Sequence, residues 1–293
     1  MSTIEKALNR LRKAGETTVS EPESARSDDT SVARRPRDSA TPPTGMSGEP
    51  LTIDLRQLRR RGIYPPAYME ETLRDQYRRI KRPLVAHATG RGATRIDRGN
   101  LIMVTSAVAG EGKTFTSLNL ALSIARDPDH SVTLVDGDVA RAHASKLLGV
   151  EDKPGLIDLL ADENLAPGDV VIPTTVESLS ILPAGRHHTL SEELLSSSRM
   201  ERVTSALADR AVNHIVLFDS APLLLSPDAL TLSSSVGQIV VVVKANSTQR
   251  HKVSEAVEQL DPNKAINMVL NQSLGGPGGD EYGGYYGKPY GER

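Results

Sequence analysis

The nine residues Ser106-Ala107-Val108-Ala109-Gly110-Glu111-Gly112-Lys113-Thr114 have the make-up of a phosphate cradle. Their spacing is G-x-x-x-x-G-K-[ST], with Ala107 where the first glycine would stand. Gly110 and Gly112 let backbone N–H groups turn toward one point, and a helix opening here adds the positive end of its dipole. Lys113 would reach the β- and γ-phosphates of a nucleotide, and the Thr114 hydroxyl would hold Mg2+. Gly110, Glu111, Gly112, Lys113, Thr114 and Phe115 are therefore the expected nucleotide contacts.

Three carboxylates belong to the same chemistry. The apolar run Val132–Val135 ends in Asp136-Gly137-Asp138, and two carboxylates at a strand's C-terminal edge face the crevice where α/β sheets bind ligands. They can share a magnesium shell and take a proton from an incoming hydroxyl. The run Ile215–Phe218 ends in Asp219, which has the place of the second carboxylate of a phosphate-loop fold. Lys113, Asp136 and Asp138 are thus the expected catalytic set, and Thr114, Asp138 and Asp219 the expected metal set. Asn271, just after the last predicted strand, could hydrogen-bond a purine ring or serve as a cap. His143, His187 and His188 have no metal spacing with carboxylates and read as surface or structural residues.

The elements that must hold these groups follow from the apolar pattern. Strand-length runs occur at Leu101–Thr105, Val132–Val135, Leu179–Leu182, Ile215–Phe218, Ile239–Val243 and Ile266–Leu270. Helical periods separate them, as at Thr114–Ala125, Met200–Ala208 and Gln249–Leu260. Continuously apolar strands alternating with helices predict an α/β fold, a parallel sheet sandwiched between helices. Met69–Ala88 reads as a further helix in which Pro83 is either a kink or a boundary.

The flanks differ from this core. Residues 1–15 predict a short amphipathic helix with Ile4, Leu8 and Leu11 on one face, either an idle leader or a docking helix. Residues 16–50 carry no Leu, Ile, Phe, Tyr or Trp and predict a disordered linker. Residues 51–98 form a basic helical segment, net +7 over residues 51–100, whereas residues 101–293 carry −9. That asymmetry could hold a basic element against an acidic neighbour in the same chain or the next subunit, or face acidic lipid. The α/β domain is expected over residues 99–271. Residues 272–293 are Gly-rich and hold Tyr282, Tyr285, Tyr286 and Tyr290, four of seven tyrosines, with no apolar period. Such rings should be solvent-accessible on a flexible tail.

The whole chain of 293 residues contains no Cys, which excludes disulfides, thiolate catalysis and Cys-ligated metals. A net charge of −2 excludes nucleic-acid binding by bulk charge. No apolar run approaches the roughly 20 residues of a membrane span, and residues 1–15 lack a signal-peptide core. A soluble, cytoplasmic protein is expected.

With the G-E-G-K-T loop, the D-x-D strand end, the apolar strand ending D-S-A-P and the Tyr-rich tail, the sequence resembles bacterial tyrosine kinases of exopolysaccharide systems. It is most similar to the tyrosine autokinases associated with exosortase and exopolysaccharide loci. The resemblance runs from about Tyr68 to Tyr290, includes the N-terminal Ser-Thr-Ile-Glu-Lys-Ala-Leu helix, and is supported by Lys153-Pro154-Gly155-Leu156, Leu182-Pro183-Ala184-Gly185 and Glu193-Leu194-Leu195. It implies ATP and Mg2+ as cofactors, and phosphoryl transfer in trans to Tyr282, Tyr285, Tyr286 and Tyr290. It also implies a homo-oligomeric ring and an inner-membrane polysaccharide co-polymerase as activator. A cognate tyrosine phosphatase and a cytoplasmic protein held at the inner membrane through its partner complete the implied setting. Ala109, Ala140 and Ala142 depart from the family's Pro, Arg and Pro, with Arg141 one position late. The family's oligomerisation motif E-x-x-R-x-x-R survives as Asp75, Arg78 and Lys81, and a Lys cannot make the bidentate pairs of an Arg. The rival readings are an ATP-dependent positioning switch, whose extra loop lysine is absent from Ser106–Gly110, and a catalytically silent nucleotide-binding module.

Overall fold

In the computed structural model, residues 49–91, 96–210 and 213–273 are described, so the predicted N-terminal helix, the linker and the tyrosine tail lie outside the described residues. Among the described residues, seven strands form one sheet in the order β3-β4-β2-β5-β1-β6-β7. They are β1 (Leu101–Ser106), β2 (Ser131–Asp136), β3 (Ile172–Pro173), β4 (Leu179–Leu182), β5 (His214–Asp219), β6 (Gln238–Lys244) and β7 (Ala265–Asn271). All neighbours are parallel except β3, which runs antiparallel to β4. Parallel strands put every C-terminal end on one edge, so the ends of β1, β2, β5, β6 and β7 share the crevice side.

Six strands coincide with the apolar runs; β4 has the bounds of its run, and the other five extend theirs by one or two residues. The seventh, β3, is only two residues long and contains Pro173, so it carries no periodicity to read.

Helices cover both faces. α1 (Leu55–Arg60), α2 (Glu70–Thr89) and α3 (Lys113–Ala125) lie on one side, where Leu58, Tyr64, Tyr77 and Leu84 join Leu118, Leu122, Ile102, Val104, Leu217 and Val240 in a single core. On the other side Leu156, Leu159, Met200, Leu207, Leu232 and Leu260 pack on Met103, Val216, Phe218 and Ile239. These come from α5 (Leu156–Ala161), α8 (Ser198–Ala208), α9 (Pro227–Ser234) and the end of α10 (Arg250–Glu258). The short α4 (His143–Leu148), α6 (Pro167–Val170) and α7 (Ser191–Leu195) complete the described α-helices, and a 3-10 turn, Ala67–Met69, leads into α2. Helices this short show too few turns for a sequence period.

Pro83 lies inside one continuous helix, α2. Its exposed position leaves the carbonyl deprived of a partner facing solvent, so neither a boundary nor a buried orphan results. The basic segment is therefore built into the same core as the sheet. Lys81 is turned inward, where its ammonium donates to the Ser123 carbonyl at 3.0 Å and pairs with Asp127 at 3.2 Å. A cation at the last turn of α3 complements the helix dipole. Asp75 and Arg78 pair with each other at 3.1 Å on the solvent face of α2.

Candidate functional site

The loop between β1 and α3 meets the geometric demands of a phosphate cradle. Gly110 and Gly112 have φ of +81° and +93°, values that side chains other than glycine rarely adopt. Gly112 caps α3, so Lys113 and Thr114 open the helix and its free N–H groups point out of the loop.

Asp136 and Asp219 are register partners on adjacent parallel strands, β2 and β5, and reach the site together. Gly137 holds these strand ends close, because its N–H donates to the Asp219 carbonyl at 2.7 Å and a Cβ there would lie 2.8 Å from the Leu232 side chain. Asp219 is 1% exposed. Burial pushes its carboxyl up to about 7, and the charge of Asp136 adds to that; hydrogen bonds from Thr114 and Ser117 and the Lys113 charge oppose it. Burial likewise holds the Lys113 ammonium below the usual lysine range, against Asp219, Asp138 and Glu111. The charge of Arg141 acts on Lys113 in the same direction as burial.

Asp136 accepts from the Ser145 N–H and hydroxyl, both at 2.7 Å, through one oxygen, and from the Asp138 N–H at 3.3 Å through the other. Burial raises its pKa as well. The Ser145 hydroxyl in turn accepts from the Ala184 N–H at 3.0 Å. Here the supporting stretches find their purpose: Leu156 and Ile157 donate to the carbonyls of Pro183 and Ala184, and a Cβ on Gly155 would sit 2.1 Å from the Pro183 oxygen. The crossing of these two segments fixes Ala184, hence Ser145, hence Asp136. Asp138 is the more accessible carboxylate, 8% against 1% exposed, and accepts only from the Arg141 N–H at 3.3 Å through its side chain.

Thr114, Asp136, Asp138 and Asp219 supply hard oxygen donors, which suits Mg2+. Among the described residues no three acidic or His side chains form a closed metal cage. Mg2+ held by one or two carboxylates plus phosphate oxygens and water needs none, so the donor set fits the ion.

The structure thus brings Gly110, Gly112, Lys113, Thr114, Asp136, Asp138 and Asp219 together. Asn271 sits at the loop with its amide donating to the Glu111 carbonyl at 2.8 Å. Phe115 packs behind the loop, its ring 6.5 Å from that of Tyr77. Asp75 and Arg78 lie on the exposed face of α2 and Lys81 against α3, while Tyr282, Tyr285, Tyr286 and Tyr290 lie outside the described residues. Sequence reasoning passed over Ser117, whose hydroxyl lies 2.9 Å from Asp219, and Ser145. Both are serines without motif spacing; for Ser117 the only signal is its place one turn after Lys113.

No protein-family model matches the chain. It is 32% identical over 193 residues to EpsB of Ralstonia nicotianae, a match covering 66% of this chain and 25% of that protein. It is 28% identical over 175 residues to the tyrosine-protein kinase CpsD of Streptococcus agalactiae, covering 59% of this chain and 75% of CpsD. The first of these relatives is matched over only about a quarter of its length. Among solved structures the kinase domain of VpsO aligns with a TM-score of 0.56 at 26% identity, over 71% of this chain and 100% of that domain. With the phosphate loop, the paired carboxylates and the sheet order in place, the chain is similar to the bacterial tyrosine kinases in sequence and to their kinase domains in fold.

Proposed function

We propose that this chain is an ATP-dependent tyrosine autokinase that regulates exopolysaccharide synthesis or export. The observation that carries the reading is the convergence of Lys113, at the mouth of α3, with the register-paired Asp136 and Asp219. Phosphoryl transfer asks a protein mainly for positioning and charge neutralisation, and this edge of the sheet is built for both. The loop N–H groups and Lys113 would hold the ATP phosphates, and Thr114 and Asp219 would hold Mg2+, which neutralises phosphate charge when bound.

The two oxygens of Asp136 are engaged by Ser145 and Asp138, so its role is to anchor α4. Asp138, the freer carboxylate, is the better candidate to receive the acceptor hydroxyl. The acceptors are Tyr282, Tyr285, Tyr286 and Tyr290 of a neighbouring copy in a homo-oligomeric ring. An inner-membrane polysaccharide co-polymerase would activate the kinase and hold it at the membrane, and a tyrosine phosphatase would reverse the modification. Among the described residues no helix is long and apolar enough to cross a membrane, which suits attachment through a partner.

Incubation of the purified protein with Mg-ATP, followed by mapping of phosphotyrosine by mass spectrometry, tests the reading. Lys113→Met should abolish the label while the far-UV spectrum stays unchanged. Full labelling of a folded Lys113→Met protein would sink it.

A further inference from the structure

Glu111 is a carboxylate inside a loop shaped to receive phosphates, and it is buried. A negative charge there costs free energy unless donors consume it. Three do. One oxygen accepts from the Val108 N–H at 2.8 Å; the other accepts from the Lys244 N–H at 3.2 Å and the Thr248 hydroxyl at 2.5 Å. Lys244 ends β6 and Thr248 lies between β6 and α10, more than 130 residues from Glu111 in sequence.

The loop is gripped from β7 as well. The Asn271 amide donates to the Glu111 carbonyl, and the Asn271 side-chain oxygen accepts from the Gln272 N–H at 2.9 Å. A Cβ on Gly112 would stand 2.1 Å from the Asn271 amide nitrogen, so the end of β7 bears directly on the loop. Both ends of the Asn271 side chain are thus spent on backbone.

We propose that Glu111 and Asn271 are positioning residues that clamp the phosphate loop to the ends of β6 and β7. The Val108 N–H is committed to Glu111, and the remaining loop N–H groups are preset for phosphate before it arrives. The inference rests on the reading of this loop as the ATP site. Thr248 is the informative partner, since its hydroxyl can be deleted without changing volume or touching the loop.

The test measures the Kd of a fluorescent ATP analogue, and the KM and kcat of tail phosphorylation, on the full chain. Thr248→Val should weaken nucleotide binding about tenfold, as loss of a hydrogen bond to a buried carboxylate does, with KM rising by more than kcat falls. Thr248→Ser should restore wild-type binding. Glu111→Ala should bind worse than Thr248→Val, and the Glu111→Ala/Thr248→Val double variant no worse than Glu111→Ala alone, because the alanine has already removed the contact with Thr248. Asn271→Asp, which replaces the donor by a carboxylate oxygen facing a carbonyl, should weaken Kd at least as much as Thr248→Val. Failure of the wild type to bind the analogue would remove the nucleotide reading itself. Normal wild-type binding with an unchanged Kd for Thr248→Val, or no rescue by Thr248→Ser, would overturn the clamp alone.

Discussion

Strand β5 carries a buried titratable side chain at each end, and the fold treats them in opposite ways. At its start His214 has one ring nitrogen 2.7 Å from the Ser131 hydroxyl and the other 3.0 Å from the Thr133 hydroxyl, which itself lies 3.0 Å from Ser180. Burial, aided by Arg210, pushes its pKa down to about 4, so the ring is neutral and fully partnered. At its end Asp219 is equally buried, but its neighbour Asp136 is another carboxylate and its pKa is pushed up to about 7. Burial disfavours charge at both places. One end is settled by neutral hydroxyls, whereas the other is left in need of positive charge. The unsettled end is where the glycine loop and the exit of β7 converge.

Removing the charge at the unsettled end should give the largest effect. Asp219→Asn is expected to lower phosphotyrosine formation at least 100-fold, the scale on which transition-state electrostatics act. The nucleotide-free protein should meanwhile gain on the order of 1 kcal/mol in denaturant unfolding, since an unfavourable buried charge is gone. A loss of stability instead would mean Asp219 is as well settled as His214.

The tail sharpens the same contrast, because it follows β7 in sequence and β7 ends at the C-terminal edge of the sheet. Replacing Tyr282, Tyr285, Tyr286 and Tyr290 with Phe should remove most of the label seen by mass spectrometry. Any remainder should map to Tyr68, which is 85% exposed, and not to Tyr64 or Tyr77, which are 3% and 6% exposed. Label on either buried ring would break the assignment.

The settled end makes a pH prediction. The unfolded chain binds a proton at His214 near pH 6.5 and the folded protein only near 4. Stability from this site is therefore intact above pH 6.5, falls as pH drops from 6.5 toward 4, and is level below that, with a total of about 3 kcal/mol at roughly 1.4 kcal/mol per pH unit. His214→Gln should flatten that part of the profile in unfolding measured from pH 7.5 to 4.

The smallest effect belongs to α2. Arg78→Ala should shift the protein toward monomer in light scattering, and high salt should act in the same direction, because the pair with Asp75 is exposed. An unchanged oligomer would place the subunit contact elsewhere.

The candidate site was legible because a phosphate loop is local: its glycines, Lys113 and Thr114 sit within five residues, and the apolar runs of β2 and β5 announce Asp136 and Asp219. Ser117 and Ser145 were silent because a lone hydroxyl has no period, and its purpose appears only when residues 102 positions apart meet, as with Ser117 and Asp219. Glu111 was legible as part of the loop, but its partners Lys244 and Thr248 depend on where β6 ends. The exposed face of α2 was legible in its charges, yet the inward turn of Lys81 required knowing where α3 stops.

The way α1 and α2 share a core with the sheet bears on how the protein can be cut. A fragment beginning at Leu101 would keep every residue proposed to hold phosphate, yet it would uncover the faces of α3 and β1 that Leu58, Tyr64, Tyr77 and Leu84 now shield. Such a fragment should be sticky and slow to yield soluble material. A fragment beginning at Glu49 would keep both the shield and the Leu51 bridge to Thr174, and is the shorter chain worth producing.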